Sequence, residues 1–142
     1  MPSFTIQSPN LHMLGPVFDF HVALGSAAEA AFRATNTPAL PPVQVTAMLD
    51  TGATGSVIQQ GLPARLGLNP IGVQHINTPS TTNVPCHEYA VRLLLPQGVV
   101  VETTVLEAPL QWQHIQFLIG RDVLAHAVLV YIGYGNLFSL SF

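Results

Sequence analysis

The strongest constraint on the fold is an alternating apolar run that ends on an acidic turn. Every second residue of this run is apolar: Val43, Val45, Ala47 and Leu49. That period is typical of a strand with one face in a core. The run leads into Asp50-Thr51-Gly52-Ala53, where Gly52 allows a tight backbone path and the Thr51 hydroxyl can bond a backbone group. The pattern predicts a carboxylate at the mouth of a buried strand.

Taken alone, Asp-Thr-Gly is also what an ordinary Asx-type turn between two strands looks like. A second segment makes an ordinary turn less favoured. In it, Leu118 and Ile119 precede Gly120-Arg121-Asp122. Residues 115–125 therefore predict a buried strand that passes through a glycine into a short helix. Asp122 would stand near the helix start, where a negative charge is favourable.

Together, the two segments resemble the retropepsin family of aspartic proteases, the single-domain retroviral type and its cellular and bacterial relatives. Residues 48–53 match the family's apolar-apolar-Asp-Thr-Gly-Ala loop, and residues 118–122 match its apolar-apolar-Gly-Arg-Asp segment. The close resemblance covers about residues 43 to 58 and 115 to 132. It implies a mostly β, single-lobe retropepsin-like acid protease barrel with one short C-terminal helix, active as a homodimer.

The resemblance also implies roles for individual residues. Asp50 and its copy in a second chain would activate a water molecule, Thr51 would bond a backbone group across the subunit boundary, and Gly52 would contact the substrate main chain. Ala53 is expected to contact substrate, as is a flap within residues 74 to 86. The flap residues expected to bind substrate are Asn77, Thr78, Pro79, Ser80 and Thr81. The glycine-rich tip of the retroviral flap is missing from this segment.

The chain length of 142 residues suits a single core. We expect residues 1–15 to form an N-terminal extension and residues 16–142 to form the protease domain. Hydrophobic residues make up 49% of the chain and charged residues 8%, with no lysine, which predicts that a second subunit covers apolar surface. The resemblance implies that the last strand, predicted from Leu137 to Phe142, interleaves with the terminal strands of that subunit.

Composition argues against several other classes of function. The net charge of −3 and four scattered arginines supply no basic patch for nucleic acid. No apolar stretch approaches membrane-spanning length, the N-terminus lacks the pattern of a signal peptide, and a cytoplasmic location is expected. The six histidines form no tight ligand pair, and strand alternation would split Cys86-His87-Glu88 between two faces. We therefore expect no metal and no cofactor.

Two local patterns carry further expectations. Ser26-Ala27-Ala28-Glu29 has the spacing of a capping box, which predicts a short helix, with a long hairpin loop as the alternative. Thr54 and Gly55 stand where retroviral relatives commonly have an acidic partner for the arginine of the closing helix. Arg121 is therefore expected to bond Asp19, Asp122 or a backbone carbonyl, and so to anchor the helix to the acidic loop.

The predicted function is that of an aspartic endopeptidase that hydrolyses extended peptides. One alternative is a catalytically silent retropepsin-fold module that binds extended peptides as an added strand. The intact Asp-Thr-Gly favours catalysis, because an unpaired buried carboxylate costs stability and a pure binder has little reason to keep one. A structural β-domain with Asp50 in a plain turn is the third possibility, and the two matched segments disfavour it.

Overall fold

The computed structural model describes residues 1–77, 81–110 and 114–142. Its strands are β1 (Ser3–Gln7), β2 (Val17–Leu24), β3 (Val43–Leu49), β4 (Val57–Gln59), β5 (Gly72–Ile76), β6 (Val84–Leu94), β7 (Val100–Ala108), β8 (Phe117–Ile119), β9 (Val128–Ile132) and β10 (Leu137–Ser141). Its α-helices are α1 (Leu11–Leu14), α2 (Ser26–Ala34), α3 (Leu62–Arg65) and α4 (Arg121–Leu124). The predicted C-terminal helix after Gly120 is α4.

The larger sheet closes into a barrel because one edge of β6 pairs with two different strands, β5 and β2. Its strand order is β2-β3-β8-β4-β7-β6-β5, with an additional pairing between β2 and β6. One edge of β6 pairs with β7, and the other edge pairs with β5 along residues 84–88 and then with β2 along residues 91–94. The β2 pairing closes the ring and leaves the β5–β6 hairpin as an addition to it. The prediction of a mostly β barrel is confirmed.

The barrel interior is filled by the apolar faces of alternating strands. In β2, Phe18, Phe20 and Val22 are buried while Asp19 and His21 are exposed. The Phe20 ring also meets the ring of Phe117 on β8 edge-on, with 5.2 Å between centroids. The alternation along β3 is equally regular, and its inward residues are Val45, Ala47 and Leu49.

A second sheet joins the two ends of the chain. Its order is β1-β10-β9, and both pairings are antiparallel. Phe4 on β1 and Phe138 on β10 both pack against Phe18 of the barrel, at centroid distances of 5.3 and 6.1 Å. Residues 1–15, expected as an extension, thus supply β1 and α1. Nor is the last strand free, because β10 has an intrachain partner on each edge.

The longest helix among the described residues is α2, with nine residues. It begins at Ser26, so the helix prediction is confirmed and the hairpin-loop alternative is wrong. The capping box itself does not form: Gly25 is the N-cap, and the Ser26 N–H donates to Glu102 Oε1 at 2.6 Å. Glu29 instead pairs with Arg92, which also donates to Leu24 O and ties the helix to the barrel. Within the described ranges, no helix has the length and apolar character needed to cross a membrane.

Candidate active site

The two sequence motifs meet because the strands that precede them are parallel neighbours. In β3 and β8, Leu49 pairs with Ile119. Parallel neighbours end at the same edge of a sheet, so the acidic turn and Gly120 emerge side by side. The Asp50 N–H donates to Ile119 O at 2.9 Å, which joins the two chain segments directly.

The acidic turn fixes its own carboxylate. The Gly52 N–H donates to Asp50 Oδ1 at 2.9 Å, and the Ala53 N–H donates to Asp50 O at 3.2 Å. Asp50 is half-buried, while Thr51 and Gly52 are exposed. In the described part of the chain, no group donates a hydrogen bond to Asp50 Oδ2. One carboxylate oxygen is therefore held in place and the other is available to a substrate or a water molecule.

Ser56, which is buried, and Asp122, which is half-buried, form a polar link between the acidic loop and α4. Asp122 accepts hydrogen bonds from Ser56 N at 3.0 Å and Ser56 Oγ at 2.8 Å. Ser56 Oγ in turn accepts from Gly120 N at 3.0 Å, and Asp122 Oδ1 also accepts from Val123 N at 2.9 Å. Ser56 is only 1% exposed. Asp122 is thus structural, as expected, and its main partner is a serine that the sequence did not single out.

The Arg121 side chain donates to a backbone carbonyl and to a threonine hydroxyl of the acidic loop. Its Nη1 donates to Thr51 O at 2.8 Å and its Nη2 to Thr54 Oγ1 at 3.2 Å. Its N–H donates to Ala53 O at 2.9 Å. Of the three expected kinds of partner, the backbone carbonyl is the one observed. Arg121 therefore anchors α4 to the loop, as predicted.

Gly120 is required by close approach rather than by an unusual backbone angle, since its φ is −91°. A Cβ at this position would lie 2.6 Å from Gly55 C and 2.7 Å from Gly55 O. It would also lie 3.1 Å from Ala53 O. The glycine lets the strand before α4 touch the acidic loop, and a larger residue would push the two apart.

A cleft of about 450 Å³ separates the acidic turn from the β5–β6 hairpin. The described residues that line it are Gly52, Ala53, Thr54, Gly55, Val57, Gln74, Ile76, Asn77 and Leu106. The structure thus brings three of the predicted site residues together: Gly52, Ala53 and Asn77. The wall residues Gln74 and Ile76 were not predicted individually. Their spacing on a strand is a usable signal, because alternate residues share a face.

The predicted flap segment forms a hairpin. Gln74 pairs with Cys86 and Ile76 with Val84, and near the tip the Asn83 N–H donates to Asn77 Oδ1 at 2.9 Å. Three of the predicted contacts, Thr78, Pro79 and Ser80, lie outside the described residues. Thr81 is exposed close to the tip. A hairpin opposite the acidic turn is the arrangement that a flap needs, and movement of this hairpin over substrate stays a prediction.

Thr51 does not line the cleft with Gly52. It borders a separate open depression of about 350 Å³, together with Arg121, Leu124 and Ala125. The acidic turn therefore has two exposed sides, one toward the cleft and one toward α4. Thr51 is exposed on the α4 side, and its expected position at a subunit boundary stays a prediction.

The cysteine lies inside the flap hairpin and is buried. Burial, and secondarily the charge of Glu107, raises the pKa of the Cys86 thiol. A thiol with a raised pKa stays protonated at neutral pH and reacts slowly.

Among the described residues, no three His, Cys, Asp or Glu side chains gather into a group that could hold a metal ion.

Changing Asp122 to asparagine should lower the free energy of unfolding by about 1–3 kcal/mol. The two carboxylate oxygens accept from two backbone N–H groups, Ser56 N on Oδ2 and Val123 N on Oδ1. An amide has one oxygen, so either orientation leaves one N–H facing an NH₂ group. Urea denaturation followed by circular dichroism measures the effect. Unchanged stability would mean that this link does not hold α4 to the loop.

A family model described as aspartyl protease matches residues 42–123. Among solved structures, a retropepsin-like aspartic protease from Rickettsia conorii superposes with a TM-score of 0.59 at 14% identity, covering 99% of this chain and 91% of that one. A foamy viral protease-reverse transcriptase in complex with an RNA/DNA hybrid superposes with a TM-score of 0.53 at 17% identity, covering 82% of this chain and 13% of that one. A search of curated proteins returned no match.

The two superpositions show that the chain shares its fold with these proteins. Because sequence identity is low in both, they show the fold alone. The family match spans the acidic turn, the flap hairpin and Gly120 in one continuous segment, and it covers more than half of the chain. The chain belongs to the aspartyl protease family and has the retropepsin-like fold.

Proposed function

We propose that this protein is an aspartic endopeptidase whose active site combines Asp50 with Asp50 of a second copy. The observation that carries the proposal is the acidic turn beside the cleft. Gly52 holds one oxygen of Asp50 at 2.9 Å, and the same glycine lines a cleft of about 450 Å³. A β hairpin forms the opposite wall. Thr51 and Gly52 complete the proposed catalytic turn.

The proposed chemistry needs a base and an acid at one water molecule. One carboxylate takes a proton from water as the water oxygen attacks the peptide carbonyl carbon, and the protonated partner donates to the carbonyl oxygen. When the tetrahedral intermediate collapses, the C–N bond breaks, the leaving nitrogen takes from the first carboxyl group the proton that came from water, and a hydroxyl of the intermediate returns its proton to the partner carboxylate. Two carboxyl groups that share one proton can act as base and as acid. They share it because two adjacent carboxyl groups do not both lose their protons easily.

The second carboxylate is proposed to come from another chain. Asp50 is not itself among the described residues that line the cleft and is joined to it through Gly52, and none of the described lining residues is acidic. Within the described chain, Asp19 on β2 accepts a hydrogen bond from Thr46 on β3. Asp122 accepts a hydrogen bond from Ser56. A two-fold axis beside the acidic turn would supply an identical Asp50 without any further sequence motif.

The proposed substrate is an extended peptide with apolar side chains. Val57, Ile76 and Leu106 give the cleft an apolar wall, and the main-chain carbonyl of Gly52 is proposed to accept a hydrogen bond from the peptide backbone. Asn77, Thr78, Pro79, Ser80 and Thr81 are proposed as flap contacts from above. The cytoplasmic location expected from the sequence stays a prediction.

Cleavage of an unstructured peptide library, assayed between about pH 4 and 7, tests the proposal. We expect cleavage whose rate per chain rises with protein concentration as dimers form, and inhibition by a statine-type peptide. Light scattering on the same samples reports the dimer. Peptide binding without cleavage, at concentrations where dimers are present, would contradict the proposal and favour the silent peptide-binding module.

A further inference from the structure

Two of the described residues that line the cleft carry a side-chain amide, Gln74 and Asn77. Asn77 uses its amide oxygen within the hairpin, because Asn77 Oδ1 accepts from the Asn83 N–H at 2.9 Å. Gln74 uses its amide nitrogen instead, and its Nε2 donates to Glu88 Oε1 at 3.1 Å. The two amides therefore keep opposite ends for a ligand, and Gln74 keeps the oxygen.

Glu88 fixes the orientation of the Gln74 amide. A carboxylate accepts hydrogen bonds and does not donate them, so the amide nitrogen has to face it and the amide oxygen has to face away. Within the described part of the chain, no group donates a hydrogen bond to Gln74 Oε1. Because Gln74 is exposed and lines the cleft, this oxygen is an acceptor available to a bound molecule.

The pairing of three strands explains how Glu88 reaches this position. Glu88 on β6 is opposite Gly72 on β5 and opposite Leu106 on β7. A Cβ at Gly72 would lie 3.2 Å from Glu88 Oε2, so the glycine leaves room for the carboxylate. Gln74 is the next residue on the same face of β5. Glu88, which is half-buried, thus lies between two residues that line the cleft, Gln74 and Leu106.

A long side chain that ends in a cation fits this part of the cleft. Val57 and Leu106 are paired neighbours on β4 and β7, and their apolar surface suits the methylene stem of lysine or arginine. The oxygen of Gln74 can accept a hydrogen bond from the charged end, which strengthens that bond. The negative charge of Glu88 behind the amide favours a cation further and disfavours an acidic side chain.

We propose that Gln74, oriented by Glu88, selects peptides that carry lysine or arginine at the position that meets this wall. Gln74 is then a specificity-determining residue and Glu88 a positioning residue. The inference rests on the proposed function, because it takes a peptide as the ligand of the cleft. It narrows the apolar substrate proposed above to one in which a single side chain has an apolar stem and a cationic end.

Binding of statine-type peptides tests the inference without an assay of cleavage. In each pair of peptides, one position carries either lysine or norleucine, which keeps the stem and lacks the ammonium group. Isothermal titration calorimetry at neutral pH, at concentrations where light scattering shows dimers, gives the two affinities. At one position, we expect the lysine peptide to bind about 10-fold more tightly to the unaltered protein.

The variant Gln74→Met should bind both peptides equally, because methionine keeps the length of the side chain and removes the acceptor. Glu88→Gln should give an intermediate preference, since the charge is lost and the Gln74 amide is free to turn. Gln44→Met is the matched control and should keep the full preference. Gln44 on β3 also donates to a carboxylate, Asp19 Oδ2 at 3.4 Å, but it is not among the described residues that line the cleft.

Two results would overturn the inference: no preference for lysine in the unaltered protein, or a full preference that persists in Gln74→Met or in Glu88→Gln. Thermal unfolding checks that each variant is folded. The outcomes are separable from failure of the proposed function. A lysine preference in a protein that cleaves no peptide supports the inference and contradicts the protease. Cleavage by a protein that binds both peptides equally supports the protease and contradicts the inference.

Discussion

Replacing Asp50 by asparagine should reduce kcat/KM for peptide cleavage by about 10³-fold or more while leaving the fold intact. Asparagine keeps an oxygen that can accept the Gly52 N–H, so the turn should persist. It cannot take a proton from water or return one to the leaving group, and the change removes both carboxylates of the proposed pair. A fluorogenic peptide assay measures the loss, and thermal unfolding checks that the fold remains.

Asp19→Asn is the matched control for this change. Asp19 is an exposed carboxylate on β2 that accepts a hydrogen bond from the Thr46 hydroxyl at 2.6 Å, outside the cleft. The same loss of one negative charge per chain should leave the cleavage rate unchanged there. If Asp50→Asn cleaves as fast as the control, Asp50 is not the base.

Replacing Gly120 by alanine should lower the free energy of unfolding by about 1–3 kcal/mol or prevent folding. The new methyl group would lie 2.6 Å from Gly55 C and 2.7 Å from Gly55 O. Backbone atoms of the acidic loop cannot move aside without breaking the bonds that Arg121 and Ser56 make. Urea denaturation gives the stability change, and loss of cleavage should accompany it because the Asp50 turn shifts.

Gly55→Ala provides the same substitution on the other side of the contact. A Cβ at Gly55 would meet no atom within 4 Å. A glycine replaced without strain often stabilises slightly, by about 0.4–1 kcal/mol, because the unfolded chain has fewer conformations to lose. Equal destabilisation by both variants would contradict the close approach of Gly120 to the loop.

Sequence patterns were sufficient for several strands, for the helices α2 and α4, and for the acidic turn. The alternation of Val17–Leu24 and of Val43–Leu49 predicts two strands that the structure has at the same bounds. The Asp50 turn and the helix after Gly120 are local features, set by residues that are neighbours in the chain. Local patterns carry this information because strand period, turn residues and helix starts depend on short-range sterics.

Pairing between distant segments was not available from the same patterns. The sequence predicts a strand at the end of the chain but not that β1 and β9 pair with it. Residues 1–15 were expected to form an extension, and they contain β1. The Ser56 link to Asp122 was missed for the same reason, since the two residues meet only once β4, which follows Ser56, pairs with β8. Register and partner choice depend on long-range packing that a single sequence does not display.

Mixing unaltered protein with Asp50→Asn tests most directly whether two chains share one site. At constant total concentration, in the range where dimers form, an equal mixture after subunit exchange should retain about a quarter of the activity, because mixed dimers have only one carboxylate. Activity should fall with the square of the unaltered fraction. A linear fall, with about half of the activity left in the equal mixture, would mean that each chain acts alone and would contradict the shared Asp50 pair.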